Sequence, residues 1–424
     1  MKRIYYLLAT MAVLLMAGCA NEDIMDPDNP EAKGALVFSA GISGGVKSVQ
    51  TKADALALTG ENVIKNLTVL LFDGTTGTYK YGKRVADEAG VDFVGDLEVS
   101  PGIYDIILIA NSVINYTSDT DKPATLSDLN NKVDDVTTQT QTSLLMVSKL
   151  HQDVELDYIA LDGGGYERRT YCYMFQEGDV ASYNATQHTS QTALDAVYTG
   201  ANEPVVMTRL ASRIQLESVA FNGTANLEGA TFKLTDVYLV NARPTTLLVP
   251  NAAGSYEAGT TYYRGAPATF TILDGMIHPK AAVKTYYAKT YANVTITDGG
   301  AANSFTSGTD MFQTYAFENH TAWVYDLEKT VYDARLVIAG VITLKDGQVQ
   351  PPSYYHVPIK GADFQLTRNN VYGINVSITS YGYNNPDGRI GGGDDDPGDD
   401  NAKIDVKIEV NPWNVINQYE EDEF

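Results

Sequence analysis

Short apolar runs bounded by turn-forming residues recur along most of this chain, and they constrain the fold more than any other feature. Examples are Leu67–Gly74, Gly95–Gly102, Tyr104–Asn111, Arg335–Ile342 and Val371–Ile378. Runs of this length, rich in β-branched and aromatic residues and closed by Gly, Pro, Asn or Asp, are typical of antiparallel strands. No repeat with a period of about 20 to 50 residues is visible, which disfavours a solenoid or propeller. The pattern predicts an all-β protein of two tandem antiparallel β-sandwiches.

The predicted domain boundaries follow turn-rich segments. A loop rich in Thr, Asn and Gly precedes Val205, where a long apolar run to Val219 begins. We therefore expect an N-terminal sandwich at residues 53–204 and a C-terminal sandwich at residues 205–390. The looser spacing between Leu126 and Lys149 indicates a short helix. A length of 424 residues with 44% hydrophobic residues is sufficient for two or three domains.

The N-terminus has the features of an export signal. Lys2 and Arg3 precede an apolar run from Ile4 to Met16, which is shorter than the roughly 20 residues that span a bilayer. Small residues before Cys19 resemble a bacterial lipobox. Residues 1–18 are therefore predicted to be a lipoprotein signal peptide, with Cys19 as the lipidated first residue. Cys172 would then be the only other thiol, so no intramolecular disulfide is expected.

Two strand-like segments lie apart from the rest, one near each end. The first is an alternating segment followed by a polar loop that contains Lys47 and Lys52. The second follows a Gly and Asp hinge, residues 391–400, and ends at Pro412 and Trp413. The apolar positions are Leu36, Phe38, Ala40 and Ile42 in the first, and Ile404, Val406, Ile408 and Val410 in the second. The second segment either completes the sheet of another chain or folds back as the last strand of its own domain.

No pattern that carries chemistry is apparent. The five histidines are scattered without metal-ligand spacing, and no phosphate-binding glycine loop or nucleophile elbow is present. The acidic run 394–400 could hold calcium weakly, but it lacks the ligand spacing of a calcium loop, so a solvated hinge is favoured. A net charge of -23 argues against nucleic acid as a partner. We predict a non-enzyme with no cofactor and no metal.

Aromatic residues offer one further functional interpretation. Trp323 and the pairs Tyr262–Tyr263 and Tyr354–Tyr355 could form a platform for stacking on sugars. Tyrosine is also an ordinary residue of an exposed β-face, and that interpretation is favoured.

Several of these segments, in this order, carry a resemblance to a known family. They are the lipobox, the first lone strand with its Lys-containing loop, Leu67–Asp73, Ile106–Asn111, Arg209–Ile214, Arg368–Ile374, Gly382–Pro386 and Val410–Trp413. The chain resembles the major fimbrillin family of the Bacteroidales, the subunits of type V pili. The resemblance implies two transthyretin-like sandwiches and export as a lipoprotein to the outer membrane. It also implies removal of an N-terminal propeptide by a trypsin-like protease and insertion of the C-terminal strand into a groove of the neighbouring subunit.

Carried over to this sequence, the resemblance implies a propeptide at residues 19–52 and cleavage between Lys52 and Ala53, with Lys47 as the second candidate. The hinge and donor strand are residues 391–424, including Trp413. Implied partners are copies of this chain, tip and anchor subunits, the outer membrane through the lipidated precursor, the protease, and host or bacterial surface ligands. The location is the outer membrane for the precursor and then an extracellular fimbria.

Two other functions stay open on the sequence alone. The chain could be a tip or accessory adhesin of the same family, which would receive a strand without donating one. It could also be a surface lipoprotein that keeps its lipid and binds glycans through aromatic platforms.

Overall fold

The structure is a computed structural model that describes the following parts of the chain. They are residues 34–42, 58, 60–86, 93–100, 102–156, 159–160, 166–167, 170–173, 186–188, 205–259, 261–266, 282–305, 310–320, 333–359, 366–384, 386 and 404–412.

These residues form 23 β-strands, which confirms the predicted all-β class. The strands of the first half are β1 (Gly34–Ile42), β2 (Asn66–Asp73), β3 (Tyr79–Ala86), β4 (Phe93–Val99), β5 (Gly102–Ala110), β6 (Met146–Ser148), β7 (His151–Leu156), β8 (Ile159–Ala160), β9 (Tyr166–Glu167), β10 (Thr170–Tyr173), β11 (Thr186–His188) and β12 (Val205–Arg209). Those of the second half are β13 (Ala211–Phe221), β14 (Thr231–Ala242), β15 (Tyr263–Arg264), β16 (Ala282–Val283), β17 (Ala288–Thr297), β18 (Asn303–Ser304), β19 (Phe312–Phe317), β20 (Arg335–Thr343), β21 (Val349–Pro358), β22 (Asn370–Ile378) and β23 (Ile404–Pro412).

The helix expected between Leu126 and Lys149 is absent from the described structure of that segment, which contains two short 3-10 turns, Ser127–Asn131 and Val136–Thr138. The second turn is held from outside, because the amide of Val136 donates to the carbonyl of Pro244. This bond satisfies an amide at the start of the turn that has no acceptor within the turn. In the described part of the chain no helix is long and apolar enough to cross a membrane.

The strands are arranged in three large sheets and one small one. The ten-stranded sheet has the order β11-β10-β1-β12-β6-β5-β2-β3, with β4 on β1 and β7 on β5. A five-stranded sheet has the order β18-β13-β22-β23, with β19 on β13. A six-stranded sheet has the order β16-β15-β14-β20-β21, with β17 on β14, and β8 pairs with β9.

The central strands of each half are apolar and buried. In β2, Leu67 and the residues from Val69 to Phe72 are fully buried, and β5 is buried from Ile106 to Ala110. Continuous apolar runs of this kind suit strands that are covered on both faces. β14 and β20 have the same role in the second half, and the two halves share one contiguous core.

The strand pairing of the first half recurs in the second half, which the sequence did not reveal. The series β4-β1-β12-β6 has antiparallel, parallel and antiparallel pairings, and so does β19-β13-β22-β23. The series β3-β2-β5-β7 is antiparallel throughout, and so is β17-β14-β20-β21. In this correspondence, β1 of the first half is equivalent to β13 of the second half, and β6 of the first half is equivalent to β23 of the second.

The apolar run that begins at Val205 is divided between the two halves. Its first part, β12, pairs with β1 and β6, whereas β13 pairs with β19 and β22. Leu210 alone separates the two strands and is fully buried. In its strand pairing the first half therefore extends to Arg209, five residues beyond the boundary expected after residue 204. No Gly, Pro, Asn or Asp lies between Val205 and Val219, so the sequence gives no turn signal at the change of sheet.

Candidate functional site

The first strand, β1, lies inside a sheet and not at its edge. On one side it pairs antiparallel with β4, where Leu36 is opposite Leu97. On the other side residues 35–38 pair in parallel with β10. Residues 40–42 pair in parallel with β12, where Ile42 is opposite Met207. A segment that precedes all other described strands is thus held by backbone hydrogen bonds on both sides.

Removal of β1 would leave two facing strand edges. Within the described residues, β4 and β10 flank the same part of β1, residues 35–38, so they would be separated by an empty strand position, and β12 would lose its partner at residues 40–42. Leu97 and Val99 of β4 and Val205 and Met207 of β12 are buried with β1 in place. Unpaired backbone groups beside buried apolar side chains are a template for another strand. We refer to this position, bounded by β4 and by β10 and β12, as the β1 slot.

The C-terminal strand, β23, is paired with its own body. It runs antiparallel to β22 along its whole length, from Ile378 opposite Ile404 to Asn370 opposite Pro412. Of the two alternatives for this segment, the structure shows the strand folded back on its own chain. β23 is the end strand of its sheet, with one ladder partner among the described strands, whereas β1 has partners on both sides.

The eight apolar positions predicted for the two end strands all lie in β1 and β23. The structure does not bring these strands together, because they pair in different sheets. Cys19, Lys47, Lys52, Ala53, Trp413 and the hinge 391–400 lie outside the described residues.

The first proposed aromatic platform is not an open surface. The guanidinium of Arg243 lies 4.9 Å from the ring centroid of Tyr262, and the ammonium of Lys284 lies 4.4 Å from that of Tyr263. The hydroxyl of Tyr263 donates to Asp135 at 2.6 Å. This bond is the main reason that the pKa of Tyr263 is raised to about 12. Tyr263 therefore links the two halves of the chain.

The second proposed platform is also occupied. Tyr355 is fully buried, and its hydroxyl donates to the carbonyl of Ser380 at 2.7 Å. Tyr354 packs against a small apolar cluster that includes Tyr238. Trp323 lies outside the described residues. These four tyrosines therefore have packing and hydrogen-bonding roles, and Tyr355 is buried rather than on the exposed β-face that the favoured interpretation expects.

A buried charged cluster at the boundary between the halves was not predicted. Glu61 and Arg213 are each 1% exposed, and Arg213 Nη1 lies 2.5 Å from Glu61 Oε2. Tyr315 of β19 donates its hydroxyl to Glu61 Oε1 at 2.8 Å. The amide of Leu58 donates to Glu61 Oε2 at 2.7 Å. The carboxylate of Glu61 thus accepts from its own turn, from β13 and from β19.

Arg209, the last residue of β12, extends this cluster. Its side chain is fully buried, and Nε donates to the carbonyl of Glu61 at 3.2 Å. It also donates to the side chain of Asn62 and, at 3.3 Å, to Asn369 Oδ1 just before β22. Burial lowers the pKa of Arg209 to about 10, so the guanidinium remains charged at neutral pH. We call Glu61, Arg209, Arg213 and Tyr315 the junction cluster.

One signal in the sequence points to this cluster. Arg209 and Arg213 interrupt an otherwise apolar run, and arginine is rarely fully buried unless it has a partner. The partner Glu61 lies 152 positions before Arg213 and carries no local pattern, so only the structure identifies it.

Two regions of the chain match models of known protein families. Residues 32–157 match the family model described as major fimbrial subunit protein (FimA). Residues 350–419 match the model described as major fimbrial subunit protein type IV, fimbrillin, C-terminal. The first match includes β1 and the second includes β23. No curated protein sequence matches the chain.

Solved structures with a similar fold include a fimbrilin and cell-adhesion proteins. A fimbrilin (FimA) of Porphyromonas gingivalis has a TM-score of 0.57 and 18% identity over 92% of this chain and 99% of its own. A candidate cell-adhesion protein of Parabacteroides distasonis has a TM-score of 0.59 and 18% identity over 91% of this chain and 99% of its own. A candidate cell-adhesion protein of Bacteroides eggerthii has a TM-score of 0.53 and 16% identity, over 91% and 98%.

The matches at both ends confirm the resemblance of this chain to the major fimbrillin family of the Bacteroidales, and the fold is that of solved fimbrilin and cell-adhesion structures.

Proposed function

We propose that this protein is a structural subunit that polymerises by strand exchange after proteolysis. Cleavage after Lys52 releases the propeptide strand β1, and the C-terminal strand β23 of another copy enters the β1 slot. The two halves of the chain act as tandem sandwich domains, with β23 as the donor strand. Before cleavage, the precursor is held at the outer membrane by lipid on Cys19.

The interior position of β1 is the observation that carries this proposal. A first strand that merely extended an edge could leave without consequence, whereas β1 separates β4 from β10 and also pairs with β12. Its loss would expose backbone groups on both neighbours, and each unpaired buried group costs about 1–3 kcal/mol. The cut form is therefore driven to accept a replacement strand.

The tail strand is suited to be that replacement. It gives up a ladder on one side, to β22, and gains ladders on two sides in the slot. Full burial of its four apolar side chains would contribute at most roughly 6 to 12 kcal/mol at about 1.5 to 3 each, less what packing in its own sheet already provides. Each additional hydrogen bond would contribute about 1 kcal/mol. Loss of translational freedom offsets part of this gain.

Proteolysis is needed because the propeptide strand is tethered. A tethered strand has an effective concentration that reaches roughly millimolar, which a strand from a dilute second copy cannot match. The predicted cut lies between Ile42, the last residue of β1, and Leu58, where the described chain resumes. A cut there makes β1 a separate peptide and removes its advantage.

The proposal is tested with purified precursor treated with trypsin at low ratio. Mass spectrometry identifies the new N-terminus, and size-exclusion chromatography follows assembly. We expect a chain that begins at Ala53 and forms polymers, while uncut protein stays monomeric. The double variant Lys47→Ala/Lys52→Ala, which removes both candidate cuts in the loop, should block both steps, and Lys47→Ala alone is the matched control that should leave them intact. Polymers from the uncut double variant would overturn the proposal.

A further inference from the structure

We propose that the junction cluster retains residues 58–63 at the boundary between β12 and β13 when β1 leaves. The junction cluster then keeps the β1 slot and β22, the strand that pairs with the tail, in a fixed position relative to each other. This inference rests on the proposed function only in placing the cut upstream of Leu58.

The geometry fixes both ends of the loop that contains the predicted cut. At one end, Ile42 is opposite Met207 of β12. At the other end, Glu61 and Asn62 are bound by Arg209, two residues further along the same strand. Both ends of the loop are thus held at β12. Only its upstream end belongs to the segment that cleavage removes.

The downstream end is held by groups that proteolysis does not touch. Glu61 is bound by Arg213 of β13 and Tyr315 of β19, both in the five-stranded sheet of the second half. Val63 and Lys65 are held separately, because the amide of Val63 donates to the carbonyl of Gly60 and that of Lys65 donates to Asn111 Oδ1. None of these partners lies in β1.

Burial makes this attachment specific. Glu61 is 1% exposed, so water cannot reach its carboxylate to take the place of Arg213 unless the structure rearranges. The segment therefore has one well-defined position. Arg209 adds the connection to the tail, because Asn369 precedes Asn370, which pairs with Pro412 of β23. The guanidinium of Arg209 therefore binds Glu61 and Asn62 on one side and Asn369, the residue before β22, on the other.

Hydrogen exchange on the intact and the trypsin-cut protein tests the inference. In the cut form we expect the amides of β4 and of residues 205–207 to exchange about tenfold faster or more, because their ladder partner is lost. The amides of Glu61 and Val63 should keep their protection within about twofold. Equal loss of protection at Glu61 and Val63 would overturn the inference.

Substitution of the cluster provides a second test. Glu61→Gln leaves Arg213 without a counter-charge, and we expect exchange at Glu61 and Val63 to rise about a hundredfold in the cut protein. Tyr315→Phe removes one hydrogen bond to Glu61, and a smaller rise of about fivefold is expected while the fold is kept. Asp119→Asn, at a surface pair with Lys122, is the control and should change nothing. Unchanged exchange in both cluster variants would refute the inference.

The two proposals fail in different ways. If cut protein keeps protection at Glu61 and Val63 but forms no polymer, the retained segment stands and strand exchange fails. If polymers form while this protection is lost, strand exchange stands and the role of the junction cluster is refuted.

Discussion

Ile374 of β22 lies directly opposite Ile408 of β23 in an antiparallel ladder. On its other side Ile374 is opposite Leu216 of β13. The tail therefore covers the edge of its own second half before assembly, while β1 occupies an interior position in the first half. The proposed exchange moves the tail from an edge position in its own body to an interior position in another copy.

Deletion of residues 402–424 should give a subunit that accepts a strand but cannot donate one. After cleavage we expect it to remain monomeric alone and to shorten polymers of the wild-type protein in proportion to its share of a mixture. Size-exclusion chromatography with light scattering gives the length distribution. Normal polymers from the deletion variant alone would show that the tail is not the donor strand, and would favour a tip or accessory role.

Asn130 should contribute to the attachment between the two halves. Its Oδ1 accepts from the amides of Leu248 at 2.8 Å and Val249 at 3.0 Å, and its Nδ2 donates to the Val249 carbonyl at 2.9 Å. Asn130→Ala should lower the free energy of unfolding by about 2–3 kcal/mol, since net values per bond are near 1 kcal/mol. Denaturant unfolding measures this change in free energy. The adjacent Asn131→Ala is the control, with an expected change within about 0.5 kcal/mol, and equal effects of the two would contradict the assignment.

Gly340 should be required for packing between β14 and β20. A Cβ at this position would collide with the ring of Phe232 and lie 2.6 Å from the Lys233 carbonyl oxygen. Because backbone cannot give way there, Gly340→Ala should cost about 1–3 kcal/mol of unfolding free energy. Gly347→Ala is the comparison, with open space but a φ of +88°, and should cost about 1 kcal/mol through backbone strain. A milder effect at Gly340 than at Gly347 would contradict this packing.

His151 should make stability depend on pH. Burial, with a smaller contribution from Lys149, lowers the pKa of His151 from 6.5 to about 4. The folded state then binds fewer protons than the unfolded state between pH 4 and 6.5, so this group contributes stability above that window and loses it as pH falls through it. The loss is at most about 3 kcal/mol. NMR titration of the ring should give the lowered pKa, and His151→Gln should flatten the dependence; a ring that titrates near its ordinary value would be contrary to this.

The strands are predictable because their period is local, whereas their partners are not. Alternation in Leu36–Ile42 and Ile404–Val410 identifies both end strands, but nothing in it indicates that β1 is inside a sheet and β23 at an end. The segment after Leu126 forms two short 3-10 turns in place of the expected helix, and the second turn is bonded to Pro244, far along the chain. Burial of Glu61 likewise depends on residues far along the chain.

Disulfide trapping in assembled fibres tests the exchange most directly, in a Cys172→Ser background. Copies with Leu97→Cys, opposite Leu36 in the slot, are mixed after cleavage with copies that carry Val406→Cys or Ile408→Cys in the tail. A third variant carries Ile374→Cys and Ile408→Cys together, which lie within disulfide reach in the precursor. The account predicts disulfide-linked dimers between the first two kinds of copy. It also predicts that the 374–408 disulfide forms when the precursor is oxidised, but not when fibres assembled under reducing conditions are oxidised afterwards. Fibres that form that internal disulfide and give no mixed dimers would contradict it.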